Sequence, residues 1–206
     1  MYGPIGEDFF GEGISAKNFA SQLKELGAVR TIDLHIDSPG GSVTDARTIY
    51  TLLVEHKATI NVKIDGFAAS AASFIAMAGD EVAIAEGGFF MIHEARGITR
   101  GTANEMEKAA MILRSIDRTI ADTYVARTRQ SRARVLEWMA EETWFTGSEA
   151  VENGFADKTM ENKRISACAY PDAFKNLPPA LLPNRVRARQ ITARVERMLT
   201  NAKAYS

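Results

Sequence analysis

The sequence predicts an α/β fold built around a largely parallel sheet. The chain alternates between two kinds of segment. In the short ones, apolar and polar residues alternate, which is typical of strands. In the longer ones, apolar residues recur every three or four positions, which is typical of helices. Repeated strand–helix units favour parallel strands, because a parallel pair needs a crossover connection. The chain has 206 residues, of which 46% are hydrophobic and 25% charged, so it can bury one core of this kind.

The first half of the pattern contains two strands and two helices. Thr31–Asp37 and Thr59–Asp65 alternate and predict strands, and the apolar spacing over Ser42–His56 predicts the helix that connects them. The small apolar residues of Ala69–Ala78 predict a buried helix packed closely on the sheet. Sites in such folds form where strands end and helices begin, so the two strand-to-helix junctions of this half are the expected positions of a site.

The second half adds shorter strands and the longest helix. Its predicted elements are strands at Glu81–Ala85 and Phe89–Ile92 and helices at Thr102–Arg127 and Ser131–Ala140. An apolar stripe along the longest helix favours a core position for that face. Thr146-Gly-Ser-Glu149 has the spacing of a capping box that opens a further short helix, and Gly154 is placed to end it.

Charge divides the chain into two parts. The segment from Glu161 onward holds nine basic and three acidic residues, a formal +6, so the overall charge of −1 leaves −7 on residues 1–160. Four of the six prolines predict an extended linker over 171–184, and Arg185–Ala204 could form a short basic helix. We therefore expect a domain over residues 1–160 and an appendage over 161–206. A solvated tail is favoured over an arm that binds nucleic acid or a partner.

Composition excludes several classes of protein. The near-neutral net charge argues against nucleic acid as a partner, except through the basic tail. No window approaches the roughly 18 uncharged apolar residues that span a bilayer, and the first residues lack a secretory signal. Cys168 is the single cysteine, so neither an internal disulfide nor a multi-thiolate metal site can form, and a reducing, cytoplasmic location is expected.

The first junction carries a pair of glycines. In the segment Asp37–Ser42, Gly40 and Gly41 let the backbone take positive φ and approach a ligand closely. Exposed amides at the start of a helix attract anionic oxygens. A tight turn without a ligand explains the segment equally well, and the absence of a lysine after the glycines excludes a phosphate loop.

The second junction carries a serine among alanines. Ser70 follows a strand at the predicted start of a helix, and its small neighbours leave room for a substrate. The amide of Ala71 is placed to donate to an oxyanion. The alternative is that Ser70 is only a helix cap or a small packing residue.

A nucleophilic serine needs a base, and the chain has three histidines. His35 lies on the polar side of a strand, and His56 lies near the end of a helix, where a cation is favoured for ordinary electrostatic reasons. His93 directly follows the strand Phe89–Ile92, which makes it the best candidate base. The alternative for His93 is a surface histidine without a role in chemistry.

Taken together, these residues resemble the motif series of Clp-type serine peptidases. The series comprises Gly40-Gly41, Gly66-x-Ala68-Ala69-Ser70, Met91-Ile92-His93 and Glu149-Ala-Val-x-x-Gly154-x-x-Asp157. The resemblance covers about residues 2–158 and is specific because order and spacing agree jointly. Three segments look closest to the phage-encoded branch, the head maturation (prohead) proteases: Ala69–Ser73, Ala78–Asp80 and Glu142–Trp144.

The resemblance implies a crotonase-like αβ-spiral fold and peptide-bond hydrolysis without a metal or organic cofactor. It assigns Ser70 as nucleophile, His93 as general base, and the amides of Gly41 and Ala71 as the oxyanion hole. The family's third member is an aspartate, and its position falls on Glu142, which can orient the imidazole and stabilise its cation with one extra methylene to accommodate. A register slip of one residue would select Glu141 instead, and a third outcome is that neither carboxylate contacts His93.

The resemblance also implies partners. We expect a polypeptide substrate, with a capsid or scaffold protein as the specific candidate. We also expect a homo-oligomeric ring that stacks through the long helix. The chain reaches Gly3-Pro4-Ile5, the end of the family's first strand, almost at once. We therefore expect no axial loops, no docking of an ATP-driven unfoldase and ATP-independent cleavage in the host cytoplasm or the prohead.

Two other functions are compatible with the same sequence. One is a crotonase-type acyl-CoA enzyme, in which paired amides would hold a thioester enolate and a carboxylate would move the proton. It would give Ser70 and His93 no joint role. The other is a catalytically silent assembly or scaffold protein whose basic tail is the functional part. A contact between Ser70 and His93 would count against both.

Overall fold

The computed structural model describes residues 1–6, 13–161 and 171–183. The backbone forms two compact units, Met1–Arg164 and Ile165–Ser206. In the second unit, the predicted extended linker instead contains two short 3-10 turns, Pro171–Ala173 and Pro179–Leu181. The fixed φ of proline fits such a turn as well as it fits extended chain. The predicted basic helix over Arg185–Ala204 lies outside the described residues.

The first unit is an α/β structure, as the sequence predicts. Its helices are α1 (Ala16–Glu25), α2 (Val43–Val54), α3 (Ala71–Ala76), α4 (Ala103–Thr128), α5 (Arg132–Glu141) and α6 (Gly147–Glu152). Its strands are β1 (Thr31–Ser38), β2 (Thr59–Ala69), β3 (Glu81–Ala85), β4 (Phe89–Ile92), β5 (Thr143–Thr146) and β6 (Lys158–Met160). Every strand and helix predicted for residues 31–154 is present, and the capping box of Thr146 and Glu149 opens α6.

The sheet is largely parallel, which confirms the predicted class. β2 is its longest strand, and it pairs in parallel with β1, β3 and β4. It pairs with β3 along its first half and with β4 along its last three residues, so β2 has different neighbours on this side at its two ends. β6 continues the sheet in parallel beside β3, whereas β5 pairs antiparallel with β4.

The core lies between the sheet and the helices. Ile36, Ile64 and Ile84 are fully buried and adjacent in register across β1, β2 and β3. Along β1, Asp33 and His35 alternate with the buried residues and remain accessible. Each fully buried isoleucine contributes roughly 1.5–3 kcal/mol relative to an exposed one, so the alternation fixes which face of the sheet points inward.

A cluster of aromatic side chains packs together the strands and helices of the second half of the unit. The ring of Phe155 lies 4.9 Å from Phe90, 5.0 Å from Phe145, 5.8 Å from Tyr124 and 5.9 Å from Trp138. These partners come from β4, β5, α4 and α5 respectively. The cluster therefore holds together the elements that flank His93 and Glu142.

The structure differs from the sequence prediction in a few elements. The helix predicted over Ala69–Ala78 begins only at Ala71, because β2 continues to Ala69, which pairs with Met91. α1 is a helix that the sequence analysis does not predict, and its single buried residue is Phe19. The sequence analysis does not predict the short strands β5 and β6, which have four and three residues.

No helix in the described parts of the chain is both long and apolar enough to cross a membrane.

Candidate active site

The two strand-to-helix junctions meet at one edge of the sheet. Ser38 pairs with Ala68 in the parallel β1–β2 register, so the glycine turn after β1 lies beside the serine turn after β2. Gly40 has φ 87°, and a Cβ built on it would lie 2.5 Å from the Ala69 carbonyl oxygen and 2.8 Å from the Ser70 Cβ. The close approach of the two turns therefore needs a glycine at this position.

Gly41 is held by the N-terminal segment. Ile5 bridges it in parallel: the Ile5 N–H donates to the Gly40 carbonyl oxygen, and the Ser42 N–H donates to the Ile5 carbonyl oxygen, each at 2.8 Å. A Cβ on Gly41 would lie 2.1 Å from the Ile5 oxygen. The bridge uses the groups on either side of Gly41, and the Gly41 N–H itself has no acceptor among the described residues.

Ser70 sits on a sharp turn between β2 and α3. Its backbone has φ 56° and ψ −123°, a conformation that residues other than glycine rarely adopt. In α/β-hydrolases, a strained strand-to-helix turn exposes the side chain of the nucleophile. The Ser70 side chain does not cap α3, so the helix-cap alternative is wrong. Its Oγ lies 2.8 Å from Nε2 of His93 instead.

Ala71 begins α3 directly after the serine. The first N–H groups of a helix have no intrahelical acceptor. The Ala71 N–H has none among the described residues either. Gly41 and Ala71 each follow the paired residues Ser38 and Ala68 by three positions, so their two available amides belong to the same edge of the sheet.

Strand pairing brings His93 to Ser70. The Ala69–Met91 pair joins the end of β2 to β4, and the Ser70 N–H donates to the Met91 carbonyl oxygen at 3.0 Å. The other two histidines are engaged elsewhere. His35 Nδ1 lies 2.8 Å from Asp65, and His56 Nδ1 accepts from a neighbouring backbone N–H at 3.1 Å.

Glu142 lies beside His93 in the backbone. β4 and β5 pair antiparallel with Ile92 opposite Thr143, and His93 and Glu142 are the residues next to this last pair in the two chain segments. The Glu142 side chain is only 3% exposed, whereas Glu141 is exposed. Of the two candidate carboxylates, Glu142 is therefore the buried one.

Arg96 is a residue that sequence reasoning missed. Its guanidinium donates to the Glu142 carboxylate and forms an ion pair with it, and the arginine comes from the segment that follows His93. A buried carboxylate needs such a partner, because burying an unpaired charge is costly. The two residues are 46 positions apart, and no local motif connects them.

Other contacts tie α4 to the site. The buried hydroxyls of Ser73 and Tyr124 lie 2.8 Å apart, and Ser73 Oγ donates to the Ser70 carbonyl oxygen at 2.6 Å. Two turns earlier on α4, Asp117 accepts from the Ala95 N–H at 2.7 Å, just beyond His93. Burial raises the pKa of Asp117, the Ala95 hydrogen bond lowers it in part, and nearby Glu94 raises it further.

The arrangement has the parts of a nucleophilic acyl-transfer site. A serine hydroxyl touches an imidazole nitrogen that can take its proton, and two backbone amides at the same edge of the sheet can receive a developing oxyanion. These are Ser70, His93, Gly41 and Ala71, the residues that the sequence selects.

Comparison with known proteins agrees with this geometry. The family model described as Clp protease matches residues 12–163. The chain is 32% identical over 136 residues to an ATP-dependent Clp protease proteolytic subunit of Chlorella vulgaris, a stretch that covers 65% of this chain and 67% of that protein.

Proposed function

The chain belongs to the Clp protease family, and on that premise we propose that it is a serine endopeptidase with Ser70 as its nucleophile. The observation that carries the proposal is the 2.8 Å hydrogen bond between Ser70 Oγ and His93 Nε2 at a strained turn. An acyl-CoA enzyme or a silent scaffold gives these two residues no joint role, so the contact weighs against both alternatives.

The proposed reaction proceeds through an acyl-enzyme. His93 Nε2 takes the proton of Ser70 as Oγ attacks the peptide carbonyl, and the amides of Gly41 and Ala71 stabilise the oxyanion. Each such donor typically contributes ~3–4 kcal/mol to the transition state. His93 then protonates the leaving amine, and water hydrolyses the ester between substrate and Ser70. This chemistry consumes no nucleotide, so cleavage of an accessible peptide is proposed to be independent of ATP.

Glu142 is proposed as the third member of the triad. A carboxylate in this role orients the imidazole and stabilises its cation. Its position next to the strand pair that adjoins His93 and its burial support the assignment. The ion pair with Arg96 compensates the cost of burying the Glu142 carboxylate, so a charged side chain can be accommodated at this position.

Polypeptides are the proposed substrate class, within a homo-oligomeric assembly. The segments Ala69–Ser73, Ala78–Asp80 and Glu142–Trp144 support a finer proposal, cleavage of a capsid or scaffold protein during phage head maturation in the host cytoplasm. Co-expression with the neighbouring capsid or scaffold protein, followed by mass spectrometry, tests it. Cleavage products that disappear with Ser70→Ala support this substrate, and intact protein in both samples argues against it.

The nucleophile is tested by labelling. Ser70→Ala should lose reaction with a fluorophosphonate and cleavage of a fluorogenic peptide without ATP, while its thermal unfolding stays close to that of the wild type. Ser21→Ala is the matched control, because Ser21 is exposed and its hydroxyl donates to Glu25 within α1. Unchanged labelling of Ser70→Ala would overturn the assignment. Failure of the wild type to react with the fluorophosphonate, together with binding of CoA, would favour the acyl-CoA enzyme.

A further inference from the structure

A buried chain of hydrogen bonds links α4 to the turn that carries Ser70. The Tyr124 hydroxyl lies 2.8 Å from Ser73 Oγ, and Ser73 Oγ donates to the Ser70 carbonyl oxygen at 2.6 Å. Ser73 is fully buried, and Tyr124 is 1% exposed. Neither residue touches the proposed reacting atoms, so the contact acts through the backbone of Ser70.

The direction of this chain follows from the number of protons. A serine hydroxyl has one proton, and Ser73 donates it to a carbonyl oxygen that can only accept. The Tyr124 hydroxyl must therefore donate to Ser73 Oγ. Burial raises the pKa of Tyr124 well above its ordinary range, although the hydrogen bond to Ser73 lowers it in part, so the phenol keeps the proton that it donates.

The carbonyl at the end of the chain belongs to the same peptide unit as the Ala71 amide. The Ser70 carbonyl oxygen also accepts from the N–H groups of Ser73 at 3.0 Å and Phe74 at 3.2 Å. A peptide unit is planar and trans, so its N–H points opposite to its C=O. Donors that fix the Ser70 carbonyl on one side consequently fix the direction of the Ala71 N–H on the other.

We propose that Tyr124 is a positioning residue that acts through Ser73 to aim the Ala71 amide at the oxyanion. The proposal rests on the proposed serine peptidase function. The strained backbone of Ser70 makes such a device necessary, because a conformation of this kind persists only when its surroundings hold it. The hydroxyl is separate from the packing role of the ring, which lies edge-on to Phe155 at 5.8 Å.

The test separates the hydroxyl from the ring. Tyr124→Phe keeps the aromatic packing, so its thermal unfolding should remain near the wild type, whereas kcat for a fluorogenic peptide should fall about 10-fold with KM within about 2-fold. Ser73→Ala should cause a similar or larger fall in kcat. The double variant should be no slower than Ser73→Ala alone, because Tyr124 acts only through Ser73.

A matched variant controls for the loss of a tyrosine hydroxyl near α3. Tyr50→Phe changes a ring that packs 4.7 Å from Phe74 and has no part in the hydrogen-bond chain, so its kinetics should match the wild type. Wild-type kcat in Tyr124→Phe, or independent losses that multiply in the double variant, would overturn the proposal. If Ser70→Ala labels normally in the same assay, the peptidase function itself fails. If Ser70→Ala neither reacts with the fluorophosphonate nor cleaves the peptide, and Tyr124→Phe has the wild-type kcat, only the positioning role fails.

Discussion

Three residues other than glycine take positive φ in the described parts of the chain: Ser70, Glu142 and Arg129. Arg129 and Glu142 end helices α4 and α5 in the left-handed conformation, a position that glycine commonly fills. Ser70 lies outside the left-handed helical region and has no such routine explanation. Strain of roughly 1–3 kcal/mol at each such residue is retained where surrounding contacts fix it. Ser70 contacts His93 through its side chain, so this strain lies at the proposed site.

Glu142 gives a prediction at the scale of one charge. Glu142→Gln keeps the size of the side chain and removes its charge, so we expect kcat to fall by about 10²–10⁴, because the imidazolium would lose the carboxylate that is proposed to stabilise it. Glu142→Asp keeps the charge and should retain more activity than Glu142→Gln. The control is Glu141→Gln, at an exposed neighbour, which should leave kcat within about 2-fold of the wild type. A larger loss in Glu141→Gln than in Glu142→Gln would reverse the assignment.

At the scale of the element, α4 has two different halves. Its buried residues are Ile120, Ala121, Tyr124 and Thr128, all in the last three turns. The sequence interpretation of its apolar stripe as core therefore holds only for the C-terminal half, since Met106 is 48% exposed. The buried half makes the contacts of Tyr124, and Asp117 on the same face contacts the segment after His93. One helix thus contacts both the turn that carries Ser70 and the segment that follows β4.

Asp117 predicts a pH dependence of stability. Its folded pKa lies above the ordinary value of 3.8, chiefly because of burial. The unfolded state therefore releases this proton first as the pH rises, and the free energy of unfolding falls through the window that begins near 3.8 and ends at the raised pKa. Asp117→Asn removes the ionisation, and its amide oxygen can still accept from the Ala95 N–H.

The measurement is the melting temperature of both proteins from pH 4 to pH 7. We expect the Asp117→Asn variant to gain on the wild type as the pH rises, with the difference smallest near pH 4. Glu107→Gln is the control, an exposed carboxylate on the same helix. A difference that grows toward pH 4 would contradict the sign of this argument.

For the molecule as a whole, the sequence predicts what local patterns encode. Alternation and spacing locate β1 to β4 and the long helices, and the motif order selects Ser70 and His93, which the structure brings within 2.8 Å. Side-chain pairs distant in sequence are different. Tyr124 and Ser73 are 51 positions apart, and Arg96 and Glu142 are 46 apart. Such pairs depend on the packed fold, and an isolated tyrosine or arginine carries no local signal of its partner.

The exposed half of α4 supplies the prediction at the largest scale. Met111 and Ile112 are 57% and 61% exposed and line an apolar groove with Ile116, and a proposed stacked ring would cover such a surface. Ile112→Asp should therefore reduce the mass measured by analytical ultracentrifugation to about half if rings meet through this face. Val54→Asp is the control, because Val54 is 56% exposed at the end of α2. Ile112→Asp with the wild-type mass, or an equal loss in Val54→Asp, would show that the groove of α4 is not the contact between rings.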